Sequence, residues 1–123
     1  MTVGVNATSQ HFTAFVYWAV SGSITSGAVL DVQNGNNSGA TQPGSITPSL
    51  NGSLIIAGIA DENSGGDSVN DGFSTPLQAP LVGGQNYGVA SAYLVQTTAA
   101  AINPTWTSTG GLTSNVIAAF KPA

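Results

Sequence analysis

The sequence predicts an all-β fold, an antiparallel sandwich or barrel of about seven or eight strands with no substantial helix. Three observations predict it. Runs rich in Val, Ile and aromatic residues recur along the 123-residue chain. Turn pairs such as Asn34-Gly35, Pro43-Gly44, Asn51-Gly52, Asp71-Gly72 and Gly110-Gly111 separate them. No window sustains the apolar period of an amphipathic helix, and the one helix-friendly patch, TTAAAI at 97–102, is too short to nucleate alone.

The predicted strands follow in order. HFTAFVYWAV at 11–20 alternates, with Phe12, Ala14, Val16, Trp18 and Val20 on the better core face. SLIIAGIA at 53–60 is apolar on both faces and reads as a central strand or an interface strand. YGVASAYLVQ at 87–96 and NVIAAFKP at 115–122 are two more. INPTWTS at 102–108 is another, with Pro104 marking an edge or a bulge. Shorter candidates are TVGVN near the start, AVLDVQ at 28–33 and SITP at 45–48. Asn51-Gly52, between Ser49-Leu50 and Ser53-Leu54, predicts a tight hairpin with a type I′ turn. Residues 1–123 read as one domain, long enough to bury a core, with no linker or clear repeat.

Composition narrows the function. Hydrophobic residues make up 41% of the chain but charged ones only 5%, against about 25% in a typical globular domain. Such a polar, nearly uncharged surface suits an extracellular or particle-bound protein. With one Lys, no Arg and a net charge of −4, the basic footprint that nucleic acid or an anionic membrane requires is missing. No apolar run reaches the length of a membrane-inserted helix, and MTVGVNATSQ has no signal-peptide pattern. The chain has no Cys, which removes disulfides and thiolate metal sites. The sequons at Asn6, Asn36 and Asn51 are what chance yields in a chain rich in Asn, Ser and Thr.

Several segments carry a resemblance: FTAFVYWAVSGSITSGAVLDV, PGSITPSLNGSLIIAGIA, DGFSTP and YGVASAYLVQTTAAAINPTWTSTGGLTSNVIAAFKPA. Together they resemble a jelly-roll β-sandwich family related to concanavalin-like lectin folds, found in tailed-phage structural proteins and bacterial secreted proteins. The shared features are an aromatic strand ending in Gly, an LDV strand, a SITP hairpin, a GF turn and a closing TWT…IAAFK pattern. These are packing and turn positions, so the resemblance speaks for fold before function. Family domains carry several strands ahead of the aromatic strand, whereas about ten residues precede it here. The chain therefore resembles the C-terminal part of such a domain. Exposed edges would then be covered by another copy or a larger assembly.

Chemistry has few places to sit. DENSGGDSVND, residues 61–71, holds Asp61, Glu62, Asp67 and Asp71, four of the five acidic residues. Asp61, Asn63 and Gly66 match the first, third and sixth places of an EF-hand loop, but Gly65 and Gly72 occupy the fifth and twelfth. An irregular calcium site would draw on Asp61, Asn63, Asp67 and Asp71. The simpler reading is a loop kept soluble by its charges, which is also the variable loop of the resembled family. Glycosidase chemistry needs two carboxyls facing one bond. Asp61 and Glu62 are adjacent and would point to opposite faces of a strand, and the array of acids spaced by two in concanavalin-like glucanases is missing. His11 is the only His, no G-x-S-x-G elbow exists, and Lys121 stands alone at the end.

Aromatic residues are the remaining candidates. Tyr17, Tyr87, Tyr93 and Trp106 would suit stacking on sugar rings. Trp18 reads as core. Trp106 shares a face with Ile102 and Pro104 that is either core or a contact patch. The expectation is a non-enzymatic structural protein of a virion or particle surface, a decoration, cement or fibre-type subunit. It needs no cofactor beyond calcium in the irregular-site reading, and its partners are copies of itself or a capsid or tail protein. The alternatives are a carbohydrate-binding lectin-like module recognising glycans and an extracellular filament subunit.

Overall fold

Strand β2 (Ser53–Glu62) organises the fold because it is apolar on both faces and hydrogen-bonds on both edges. The computed structural model describes residues 16–24, 26–62, 66–79, 87–109, 111 and 113–123. Within them the other strands are β1 (Leu30–Asn36), β3 (Ser68–Val69), β4 (Leu77–Ala79), β5 (Tyr87–Gln96), β6 (Trp106–Thr107) and β7 (Thr113–Phe120). The protein is all-β, with two antiparallel sheets: five strands in the order β1-β7-β2-β5-β4, and a β3-β6 ribbon. The predicted 53–60, 87–96 and 115–122 strands are its three central strands, and 28–33 becomes β1. The even split of strands between two sheets that a jelly roll has is not seen among the described residues.

Alternation sorts the large sheet into two faces. Ile55, Ala57, Ile59, Ala90, Ala92, Ile117 and Ala119 point inward and are buried in one cluster with Ile46, Ile102 and Trp106. Each fully buried Ile contributes about 1.5–3 kcal/mol of transfer free energy. The four alanines give the sheet a shallow floor, so the second layer can approach closely.

That second layer is mostly not strand. Ile46 and Ile102 exchange backbone bonds of 3.0 and 2.9 Å, and the Trp106 N–H donates to the Thr41 carbonyl at 2.9 Å. Pro43, Pro48 and Pro104 are fully buried there. Proline lacks an N–H, so irregular backbone can be buried at these positions with no donor left unpaired. Hence the predicted strand at 102–108 reduces to one bridge plus β6, and SITP reduces to the Ile46 bridge. Among the described residues of the predicted 11–20 strand, Val16–Val20 forms no ladder. TVGVN and residues 11–15 lie outside the described residues. TTAAAI at 97–102 forms no helix, as its composition predicted.

The Asn51-Gly52 turn forms, but not as the predicted hairpin. Only Gly52 takes a positive φ (77°), the type II pattern. The Asn51 side chain instead accepts from the Ala99 N–H at 2.8 Å. The I′ signature of two positive φ angles falls at Asp71 (59°) and Gly72 (78°), where the chain passes from the ribbon back to the large sheet.

Two loop anchors carry testable weight. Gly44 has φ 98°, and a Cβ there would lie 2.5 Å from Asn34 Nδ2, which donates to the Ser45 carbonyl at 3.1 Å. Gly44→Ala is expected to cost about 1–3 kcal/mol in urea denaturation. It should cost more than Gly39→Ala, where positive φ meets open space; equal losses would show that the Asn34 contact carries nothing.

Asp31 lies at the register shift between Leu30 and Val32, a β-bulge. It accepts from the Ser49 N–H at 2.6 Å and the Ser49 hydroxyl at 2.8 Å, with Lys121 Nζ 3.9 Å away. The Ser49 backbone bond, then its hydroxyl, hold the Asp31 carboxyl below its ordinary value of 3.8. A depressed folded-state pKa means stability that is present above the unfolded value and lost as pH falls through the folded one. Asp31→Asn should therefore flatten the fall of the urea midpoint as pH drops below about 4. Identical acid slopes in the two proteins would contradict this.

Candidate functional site

The large sheet turns a second face away from the core, and that face is also apolar. Leu54, Ile56, Gly58 and Ala60 of β2 project there. Across the ladders they meet Val95, Tyr93, Ser91 and Val89 of β5 on one side, and Phe120, Ala118, Val116 and Ser114 of β7 on the other. Leu77 of β4 pairs with Ser91 and Leu30 of β1 with Phe120, which extends the same face to both edges. These positions carry no charge; Glu62, the last residue of β2, follows them on the same parity opposite Tyr87. Leu30, Leu77, Tyr93, Val95 and Val116 are five of the eight large hydrophobics exposed among the described residues, and all five stand on this face.

The segment 16–20 crosses part of it. Trp18 Nε1 donates to Ser91 Oγ at 2.9 Å, and Ser91 Oγ donates on to the Ala57 carbonyl at 3.0 Å. The Trp18 ring meets Tyr93 edge-on at 5.3 Å. An open cleft of ≈ 370 Å³ lies on one side of Trp18, lined by Val16, Ile56, Val116 and Phe120 among others. Another of ≈ 320 Å³ lies toward Val20, Leu54 and Tyr93. Trp18 is thus half-buried on the second face, not in the main core as its strand pattern predicted.

A different environment lies at the end of the main core. β2 runs two residues past the predicted 53–60, so alternation carries Asp61 inward after Ile59. Asp61 is 2% exposed and Asp67, just before β3, is 3% exposed. The Ser108 hydroxyl donates to Asp61 Oδ2. Thr113 lies opposite Asp61 in the β2-β7 ladder and Asn115 opposite Ile59, both buried. The Thr113 hydroxyl at 2.7 Å and the Asn115 amide both donate to the Ala40 carbonyl. Burial, and next the charge of Asp61, push the Asp67 carboxyl above its ordinary value. Asp61 Oδ1, both oxygens of Asp67 and Asn115 Oδ1 are buried without a hydrogen-bond partner.

The structure separates the sequence candidates. The loop reading, charges kept in water, holds for Asp71, which is exposed in its turn, and fails for Asp61 and Asp67. Asn63 lies outside the described residues, as does His11. Trp106 is 1% exposed, so its ring is core and has no face free for a sugar. Tyr17 is 70% and Tyr93 42% exposed, and among the described residues the Tyr93 ring pairs edge-on with Trp18, not with Tyr17. Tyr87 opens β5 and its side chain lies outside what is described. Ser108, Thr113 and Asn115 escaped the sequence reading because such residues are everywhere in this chain. Their one signal was that Thr113 and Asn115 share parity with Ile117 and Ala119. No group of three or more His, Cys, Asp or Glu side chains gathers among the described residues. No protein-family model, curated protein or solved structure matches the chain.

Proposed function

We propose that the protein is a non-enzymatic structural subunit of a virion or particle surface, of the decoration, cement or fibre kind, whose copies associate through the second face of the large sheet. The observation that carries this reading is the largely apolar surface running across all five strands of that sheet, with Glu62 at the end of β2 its acidic strand position. Contiguous apolar patches beyond a few hundred Å² are unusual on monomers and mark interaction surfaces. The low charge of the chain and its resemblance to a family found in phage structural proteins point the same way.

Face burial is favoured over edge pairing. Among the described residues β4, one edge, spans three residues, and β1, the other, carries the bulge at Asp31. Short and bulged edges are devices that block strand addition. Symmetry would then multiply a modest face contact into a stable assembly. Light scattering on the purified chain tests this, with a defined oligomer expected. A single copy at every concentration would sink self-association, and retention on glycans by such a monomer would favour the lectin-like reading.

A further inference from the structure

We propose that the buried polar end of the core binds a hard divalent cation of calcium's kind, held by the carboxylates of Asp61 and Asp67. This holds whether or not copies of the chain associate. Two carboxylates buried against each other require a compensating charge, because neither can be desolvated cheaply in ionised form. Among the described residues no cationic side chain serves the purpose: the single Lys or Arg, Lys121, sits 3.9 Å from Asp31, and the single His, His11, lies outside them.

The compensating charge is therefore a proton or a metal ion, and the oxygens distinguish them. Three carboxylate oxygens, Asp61 Oδ1 and both of Asp67, are buried without a well-formed hydrogen bond, with Asp61 and Ser108 the polar groups that act on the Asp67 carboxyl. One shared proton joins two oxygens but leaves one negative charge buried. A divalent cation neutralises both groups and engages all three oxygens together. Calcium takes six to eight oxygen ligands and accepts carboxylates in one- or two-oxygen modes. An uncharged oxygen is also to hand. Asn115 Oδ1, on a side chain 1% exposed, has no partner and lies on the same inward face, two positions from the residue opposite Asp61. A cleft of ≈ 420 Å³, lined by Asn37, Ser38, Asp61 and Thr113 among others, offers a route from solvent to Asp61.

The test is thermal unfolding of the full chain at neutral pH in EDTA and in calcium chloride, with terbium emission excited through tryptophan as a second readout. Trp106 pairs with Val69, two residues from Asp67, which places a sensitiser close by. The expected result is a rise in Tm of roughly 10 °C at a hundredfold excess of calcium over its Kd. The rise should vanish in Asp61→Asn and Asp67→Asn and persist in Asp71→Asn. Should either Asn variant fail to fold, carboxyl-carbon NMR of the parent decides, since only five acidic side chains exist. Calcium should then shift Asp61 and Asp67 and leave Asp31 in place. No Tm rise and no terbium emission would overturn the proposal, with Asp67→Asn more stable than the parent in EDTA identifying a proton-sharing pair. A calcium response that survives in both Asn variants would overturn it as well.

Discussion

If copies associate through the second face as proposed, Val116→Asp should return them to single copies while leaving each copy folded. Val116 is 59% exposed on β7, near the centre of the largely apolar face. Its side chain reaches toward Gly58 of β2, where an added Cβ would sit 3.5 Å from Val116 Cγ2. A carboxylate there stays in water in the free subunit and is stripped of it in the associated one. Leaving a charge buried and unpaired costs about 3–5 kcal/mol, a weakening of roughly a hundredfold to several thousandfold per contact. The fold should lose at most about 1 kcal/mol, the span of strand propensity, because the inward face is untouched. Light scattering reads the mass and circular dichroism reads the fold. Thr47→Asp, exposed in the second layer, should leave the mass unchanged. An unchanged oligomer in Val116→Asp would move the contact off this face. Loss of mass together with loss of fold would show that Val116 serves stability.

The largest loss of stability is expected from Trp106→Ala. Trp106 is the largest fully buried side chain and bridges the two layers, pairing with Val69 in the ribbon and clustering with the alanine floor of the large sheet. Truncating such a ring removes its transfer free energy and leaves a cavity that irregular backbone can only partly close. The expected cost is about 3–5 kcal/mol, against a total of roughly 5–15 kcal/mol for a domain. Trp106→Phe should cost far less. It keeps most of the ring and deletes Nε1–H, a buried donor with no partner, whose burial is worth about 1–3 kcal/mol of relief. Urea midpoints of the three proteins decide it. If Trp106→Ala were as stable as the parent, the ring could not be core, and a contact role for Trp106 would return.

Much of the large sheet was readable along the chain. Residues 53–60, 87–96 and 115–122 carry dense Val, Ile and Ala with period-two alternation, and this pattern makes a strand wherever its partners lie. The apolar character of 53–60 on both faces foretold a central strand, and β2 is flanked by β5 and β7. Low charge, absent Cys and the lack of a basic footprint are likewise properties of composition, and they restricted the function classes without any coordinates.

Tertiary structure decided the rest, because it turns on partners distant in sequence. Val16–Val20 has the alternation of a strand, yet Trp18 is anchored by Ser91 and Tyr93 and not by a backbone ladder. Asn51-Gly52 has the composition of a I′ hairpin, yet the Asn51 side chain is engaged by Ala99, 48 residues on, and the I′ geometry appears at Asp71-Gly72. Trp106 was poised between core and surface until the Ile46–Ile102 bridge and three buried prolines built a layer over it. Asp61 and Asp67 sit in a stretch whose composition signals a solvated loop. β2 runs on past Ala60, and Asp61, paired with Thr113 and Gly88, is carried inside, while Asp67, just before β3, is buried as well. Local pattern decides which segments can be strands. Which face of a strand meets water, and which charge loses it, depends on the layer that long-range pairing places opposite.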